Sequence, residues 1–78
     1  MYDYTELVSY IVRSIVSKPD DVTVMLVEGD RTNRVEVRLA AEDVGKVIGR
    51  GGRNIDAIRS VVRAAALKNH DRVMVEIV

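Results

Sequence analysis

Four consecutive residues, Gly49-Arg50-Gly51-Gly52, carry the side-chain types and spacing in this chain that point to chemistry rather than packing. Glycine costs roughly 1 kcal/mol against alanine inside a helix, so three of them in four positions between two helical segments need a reason. A tight corner between helices requires positive φ and close approach, a need that one glycine ordinarily meets. Three glycines around an arginine suggest that a ligand approaches the backbone. The loop opens the N-terminus of the helix that follows, where the first amides lack intrahelical partners and the helix dipole is positive. A phosphate suits such a site, and the missing Cβ atoms would let a sugar–phosphate chain come close. Arg50 adds a charge, and Lys46 and Arg53 flank the loop. Beside it, Val44, Val47 and Ile48 offer an apolar floor for bases, with at least one of the three turned inward.

The charge distribution agrees with an anionic ligand. The whole chain is neutral, with 12 basic and 12 acidic residues, which argues against a simple polycation. Between Val44 and Arg63, however, Lys46, Arg50, Arg53, Arg59 and Arg63 face Asp56 alone, so this window carries +4 and the remainder −4. Local potential is what a ligand meets at close range. Arg59 and Arg63 fit a solvated helix face equally well.

The elements that must hold this loop can be read from periodicity. Leu7, Val8, Ile11, Val12, Ile15 and Val16 form one helical stripe between Tyr4 and about Ser17, with Asp3 and Glu6 as a capping box and Pro19 as a stop. Val22 to Val27 is β-branched and reads as a strand whose second face (Thr23, Met25, Val27) is expected to be partly covered. A polar turn at residues 29–33 leads to a second strand, Arg34 to Leu39, with Val35, Val37 and Leu39 inward and Arg34, Glu36 and Arg38 outward. A short helix is expected over residues 40–48, with Glu42 and Asp43 near its positive end. A long helix is expected from about Arg53 to Lys68, burying Ile55, Ile58, Val62, Ala65 and Ala66, with Asn69 as a left-handed stop. Arg72 to Val78 alternates as a last strand. The order α-β-β-α-α-β predicts a two-layer α+β domain, a three-stranded mixed sheet with three helices on one face, and a third strand that pairs in parallel after the two-helix crossover. The length of 78 residues accommodates one domain spanning residues 1–78.

The string Val47-Ile48-Gly49-Arg50-Gly51-Gly52-Arg53-Asn54-Ile55 resembles the V-I-G-x-x-G-x-x-I signature of KH domains, and the element order resembles the type II, prokaryotic arrangement. Over about its full length, including Ala41-Glu42-Asp43-Val44-Gly45-Lys46 before the loop, the chain is similar to the small bacterial single-KH RNA-binding proteins of the KhpA family. The resemblance implies a loop that clamps about four single-stranded nucleotides by their backbone. It implies contacts from Gly49, Arg50, Gly51 and Gly52, with Lys46 and Arg53 beside the phosphates. Val44, Val47 or Ile48, with Ile55, would shape the apolar groove. Arg31 and Arg34, in or beside the variable loop, would reach the far edge of the ligand. It also implies a homodimer, or a heterodimer with a KhpB (Jag-like) KH protein. Family loops often carry two polar or basic residues between the outer glycines; here the second is Gly51, leaving Arg50 as the single charged side chain in the loop.

Other chemistries find no support in the residues. There are no cysteines, which excludes disulfides, thiolate metal sites and cysteine nucleophiles and fits a reducing cytosol. His70 is the lone histidine, in a turn without partner ligands. No Walker string occurs, and the glycine loop follows a helix rather than the strand that a dinucleotide fingerprint requires. Tyr2, Tyr4 and Tyr10 are the aromatics available to stack on bases, but they lie at the N-terminus, far in sequence from the loop, and Tyr10 reads as a packing or dimer-contact residue. No cofactor and no enzymatic activity are expected. The acidic start and the lack of an apolar run of roughly 18 residues predict a cytoplasmic protein that does not use a membrane. Two functions compete: a single-stranded RNA-binding module of low sequence specificity, with single-stranded DNA as a variant, and a protein-interaction subunit whose loop is a relic.

Overall fold

A computed structural model describes residues 2–78. Its elements follow the predicted order: α1 (Tyr4–Arg13), β1 (Thr23–Val27), β2 (Asn33–Arg38), α2 (Val44–Ile48), α3 (Arg53–Lys68) and β3 (Val73–Ile77), with single 3-10 turns at Pro19–Asp21, Ala41–Asp43 and Arg50–Gly52. The fold is α+β, with the helices layered on one face of a mixed three-stranded sheet. Strand β2 is central. It pairs antiparallel with β1 (Val24 opposite Val37, Leu26 opposite Val35) and parallel with β3 (Val35 beside Val75, Val37 beside Ile77).

The alternation in β2 sets which face is buried. Val35 and Val37 are fully buried, while Arg34 and Arg38 on the other face are exposed. Above Val35 and Val37 lie Tyr4, Val8 and Val12 from α1, Val47 from α2, and Ile55, Ile58, Val62 and Ala66 from α3, closed by Val22 and Val75. The outer face of β1 is more open than expected: Met25 and Thr23 are exposed and Val27 is half-buried. Among the described residues no helix covers that face, and Met25 stays exposed to water.

The expected helix over residues 40–48 is a 3-10 turn followed by an α-helix that starts at Val44, and two helix ends also differ from the sequence expectation. Helix α1 stops at Arg13 rather than near Ser17. Ser14 returns its hydroxyl to the Tyr10 carbonyl at 2.7 Å. Farther on, the amides of Ser17 and Lys18, which would have extended the helix, donate instead to the carboxylate of Asp43. Ile15 consequently leaves the buried stripe and is exposed. At the end of α3 the left-handed residue is His70 (φ 58°), not Asn69 (φ −94°). The amide of Asp71 reaches the Ala66 carbonyl (2.8 Å) and that of His70 the Leu67 carbonyl (3.2 Å), a Schellman closure with His70 at its left-handed position. Asn69 serves the helix end differently, donating its side-chain amide to the Ala65 carbonyl at 2.8 Å. Tyr4 fastens the N-terminus to this corner through a 2.6 Å hydrogen bond to Asp71.

Candidate nucleic-acid interface

The glycine loop is a corner between the five-residue helix α2 and the sixteen-residue helix α3. Gly49 ends α2, donating its amide to the Gly45 carbonyl at 2.8 Å, and takes φ 76°, ψ 172°, a conformation essentially reserved for glycine. Arg50–Gly52 form one 3-10 turn, with Gly51 left-handed (φ 66°, ψ 18°) and Gly52 (φ 80°, ψ 12°) standing as the N-cap of α3. Among the described residues no side chain caps α3. The Arg53 amide donates to the Arg50 carbonyl inside the turn, and the positive end of the dipole of a sixteen-residue helix lies beside the loop.

The three glycines serve different needs. A Cβ on Gly49 would lie 2.8 Å from Cγ and 3.0 Å from the backbone N of Asn54, so this residue is demanded by the corner itself. A Cβ on Gly51 would meet nothing within 4 Å. Its side faces open space, so the fold asks only for its left-handed backbone.

Arg50 and Arg53 are exposed, and among the described residues neither forms an ion pair. Lys46, also exposed, stands 3.6 Å from Asp43. Of the apolar candidates, Val47 is fully buried and Ile55 nearly so; they support the loop from beneath and cannot floor a groove. Val44 and Ile48 are half-buried and keep accessible surface. The expected inward member of the valine–isoleucine trio is thus Val47. Arg31 is exposed in the β1–β2 loop. Arg34 does not join the loop. It lies on the sheet face opposite the helices, between Glu36 (3.5 Å) and Glu76 (3.6 Å), because period-2 alternation points it away from Val35 and Val37. Arg59 is more than a solvated decoration: its Nε donates to the Val75 carbonyl at 3.0 Å, on the free edge of β3, and with Arg63 it lines a small groove beside that strand.

Two residues that the sequence reading did not place among the site residues, Asn54 and Asp43, hold this arrangement. Asn54 donates its side-chain amide to the Lys46 carbonyl at 2.8 Å, filling one of the orphan acceptors at the end of α2 while packing beneath Gly49. Its signal in the sequence is faint: an asparagine inside the first turn of a helix, where straight-chain residues do better. Asp43 is fully buried. Its carboxylate accepts the Ser17 amide (3.0 Å), the Ser17 hydroxyl (2.7 Å) and the Lys18 amide (3.1 Å). The Ser17 amide bond, with the Ser17 hydroxyl, the Lys18 amide and the nearby Lys46 charge, outweighs desolvation and holds the Asp43 pKa down to about 2. An aspartate before an apolar segment reads as a helix-dipole partner; its true partners lie more than twenty residues away, out of reach of local pattern.

An uncapped helix N-terminus, a Gly-Arg-Gly-Gly corner with unpaired arginines and an α-β-β-α-α-β sheet architecture together define a KH domain of the type II arrangement. Comparison with known proteins agrees: a family profile described as "KhpA/KhpB, KH domain" matches residues 5–77. The chain belongs to this non-enzymatic KH family. It is 49% identical over 73 residues to a protein of Clostridium perfringens named "RNA-binding protein KhpA", covering 94% of this chain and 97% of that one. Proteins of the same name from Caldanaerobacter subterraneus (48% over 73 residues, 94% and 97% covered) and Borreliella burgdorferi (44% over 72 residues, 92% and 88% covered) are similar as well. Among the described residues no helix is long and apolar enough to cross a membrane.

Proposed function

We propose that this protein binds single-stranded RNA, that residues 1–78 act as one KH domain, and that the Gly49–Gly52 loop clamps the sugar–phosphate backbone. The observation that carries the reading is the conjunction of Gly51, open on its outer side, with the uncapped start of α3 and the unpaired Arg50 and Arg53. A phosphate seated there takes backbone N–H donors and two guanidinium charges at once. Lys46 adds a third charge, and Val44 and Ile48 present apolar surface for bases leaving the loop. Arg31 extends the positive surface from the β1–β2 loop. The names of the relatives, each an RNA-binding protein, support the same ligand class.

A single loop of this kind reads about four nucleotides, which gives low sequence specificity. Useful affinity then comes from a second domain held close by, in a homodimer or a heterodimer with a KhpB-type KH protein in the cytoplasm. The competing role of a protein-interaction subunit draws on one feature, the exposed Ile15, just past the end of α1, and Val61 on the neighbouring surface of α3.

Fluorescence anisotropy with a short labelled single-stranded RNA tests the proposal, comparing the wild type with the Arg50→Asp, Gly51→Asp double variant. The variant sets two carboxylates where phosphate should sit, at positions whose outward side is free. The wild type should bind with log K falling by about 0.7 per phosphate contacted as log salt rises. The variant should remain folded by circular dichroism and lose at least roughly tenfold in affinity, about 1.4 kcal/mol. Equal binding by both proteins would place the site elsewhere. Absence of binding by the wild type would favour the interaction subunit.

A further inference from the structure

Helix α2 has five residues, too few to hold its own shape in water, yet it sets the position of Lys46 and of the first loop glycine. Its far end is held by Asn54 through the Lys46 carbonyl. Its near end begins at Asp43, whose buried carboxylate takes two backbone amides and a hydroxyl from the α1–β1 connection. No other buried charged residue occurs among the described residues. An ionised group is costly to bury unless it is fully paired. Here every bond it accepts comes from Ser17 or Lys18, and its remaining neighbour is the Lys46 amine at 3.6 Å. The carboxylate thus joins three things: the end of the α1 layer, the start of α2 and a cation at the loop.

We infer that Asp43 is a positioning residue for the RNA-binding loop, fixing α2 against the Ser17–Lys18 connection so that Lys46 and the Gly49–Gly52 backbone are set before ligand arrives. The inference rests on the proposed reading of the loop as the RNA site. Asp43 is fully buried and touches no ligand itself. Its effect is preorganisation, which raises affinity by removing an ordering cost from the binding step.

The sign of the effect separates positioning from electrostatics. Replacing Asp43 by asparagine removes a negative charge next to Lys46 and the loop. Charge alone then predicts tighter binding to polyanionic RNA. Positioning predicts weaker binding, because the new side-chain NH2 must face either the Ser17 or the Lys18 amide, donor against donor, and the connection loosens.

The experiment compares Asp43→Asn, Ser17→Ala and the core variant Val62→Ala with the wild type and with the Arg50→Asp, Gly51→Asp protein. Val62 is buried in α3, nine residues beyond Arg53, and serves as a control for stability loss away from the loop. RNA affinity is read at a temperature where circular dichroism shows each protein folded. Amide proton and nitrogen shifts of Gly49, Gly51 and Gly52 are read without RNA. Asp43→Asn should weaken binding roughly tenfold, the scale on which removing the support of a binding group acts, and should shift the glycine amides. Ser17→Ala, which keeps both backbone amide bonds, should do the same to a lesser degree; it decides the matter if Asp43→Asn does not fold. Val62→Ala should leave affinity and glycine shifts unchanged. Wild-type or tighter binding by Asp43→Asn with unmoved glycine signals overturns the inference, as does an equal loss in Val62→Ala. If the Arg50→Asp, Gly51→Asp protein binds like the wild type, the loop reading falls instead, and the RNA-free glycine shifts still decide whether Asp43 positions the loop.

Discussion

Replacing Gly49 by alanine should unfold this protein far more readily than the same change at Gly51, although both are positive-φ glycines of one loop. At Gly49 the backbone (φ 76°, ψ 172°) lies where L-residues are almost never found, a strain of about 1–3 kcal/mol. The new methyl would also stand 2.8 Å from Cγ and 3.0 Å from the backbone N of Asn54. The side-chain atom can yield, but the backbone N is fixed in the first turn of α3. That contact costs about 1–3 kcal/mol as overpacking, alanine restricts the unfolded chain and returns about 0.4–1 kcal/mol, and the net loss is about 3 kcal/mol. In a domain of this size that lowers Tm by about 12–24 °C. At Gly51 the backbone is ordinary left-handed (φ 66°, ψ 18°) and the methyl enters open space. The cost there is about 1 kcal/mol, a fall of about 4–8 °C. Thermal unfolding by circular dichroism reads both. A double variant, Gly49→Ala with Asn54→Ala, should recover only part of the loss, since the Cγ contact goes while the contact with the backbone N and the φ remain. A Tm for Gly49→Ala equal to or above that of Gly51→Ala would refute the assignment of Gly49 to the corner and Gly51 to the ligand side.

Two pH dependences follow from groups held in one ionisation state by the fold. Asp43 has a folded pKa of about 2 against an ordinary 3.8, so the stability it supplies is fully present above that ordinary value and disappears as pH falls toward 2. Asp43→Asn should flatten the wild type's loss of Tm across this interval in a pH-resolved melting series. Tyr4 behaves in the opposite sense: burial first, then the hydrogen bond to the Asp71 carboxylate, raises its pKa above 10.0. Its contribution is intact below that value and is lost as pH rises through the folded pKa. Ultraviolet titration at the tyrosinate band should show a Tyr4 component, absent from Tyr4→Phe, that ionises above pH 10.0 together with loss of far-ultraviolet ellipticity. A Tyr4→Phe protein should melt lower than the wild type at pH 7, because Asp71 loses its partner.

The sequence by itself determined the element order and the identity of the loop. Hydrophobic periods of 3.6 and 2 are local properties, as are the glycine triplet and the +4 window around it, and they survive reading one residue at a time. The bounds of α3, the parallel return of β3 and the inward turn of one of Val44, Val47 and Ile48 all followed from such patterns. What only the tertiary structure decided are matters of long-range pairing. Ser17 and Lys18 leave α1 because a carboxylate more than twenty residues away takes their amides. Alternation turns Arg34 outward, but its partner Glu76 stands on β3, a strand that only the fold brings beside β2. The Cβ space at each glycine, which separates Gly49 from Gly51, depends on how α3 folds back beneath the corner. Local spacing records which residues can form an element. It does not record which distant donor will satisfy a buried charge such as Asp43.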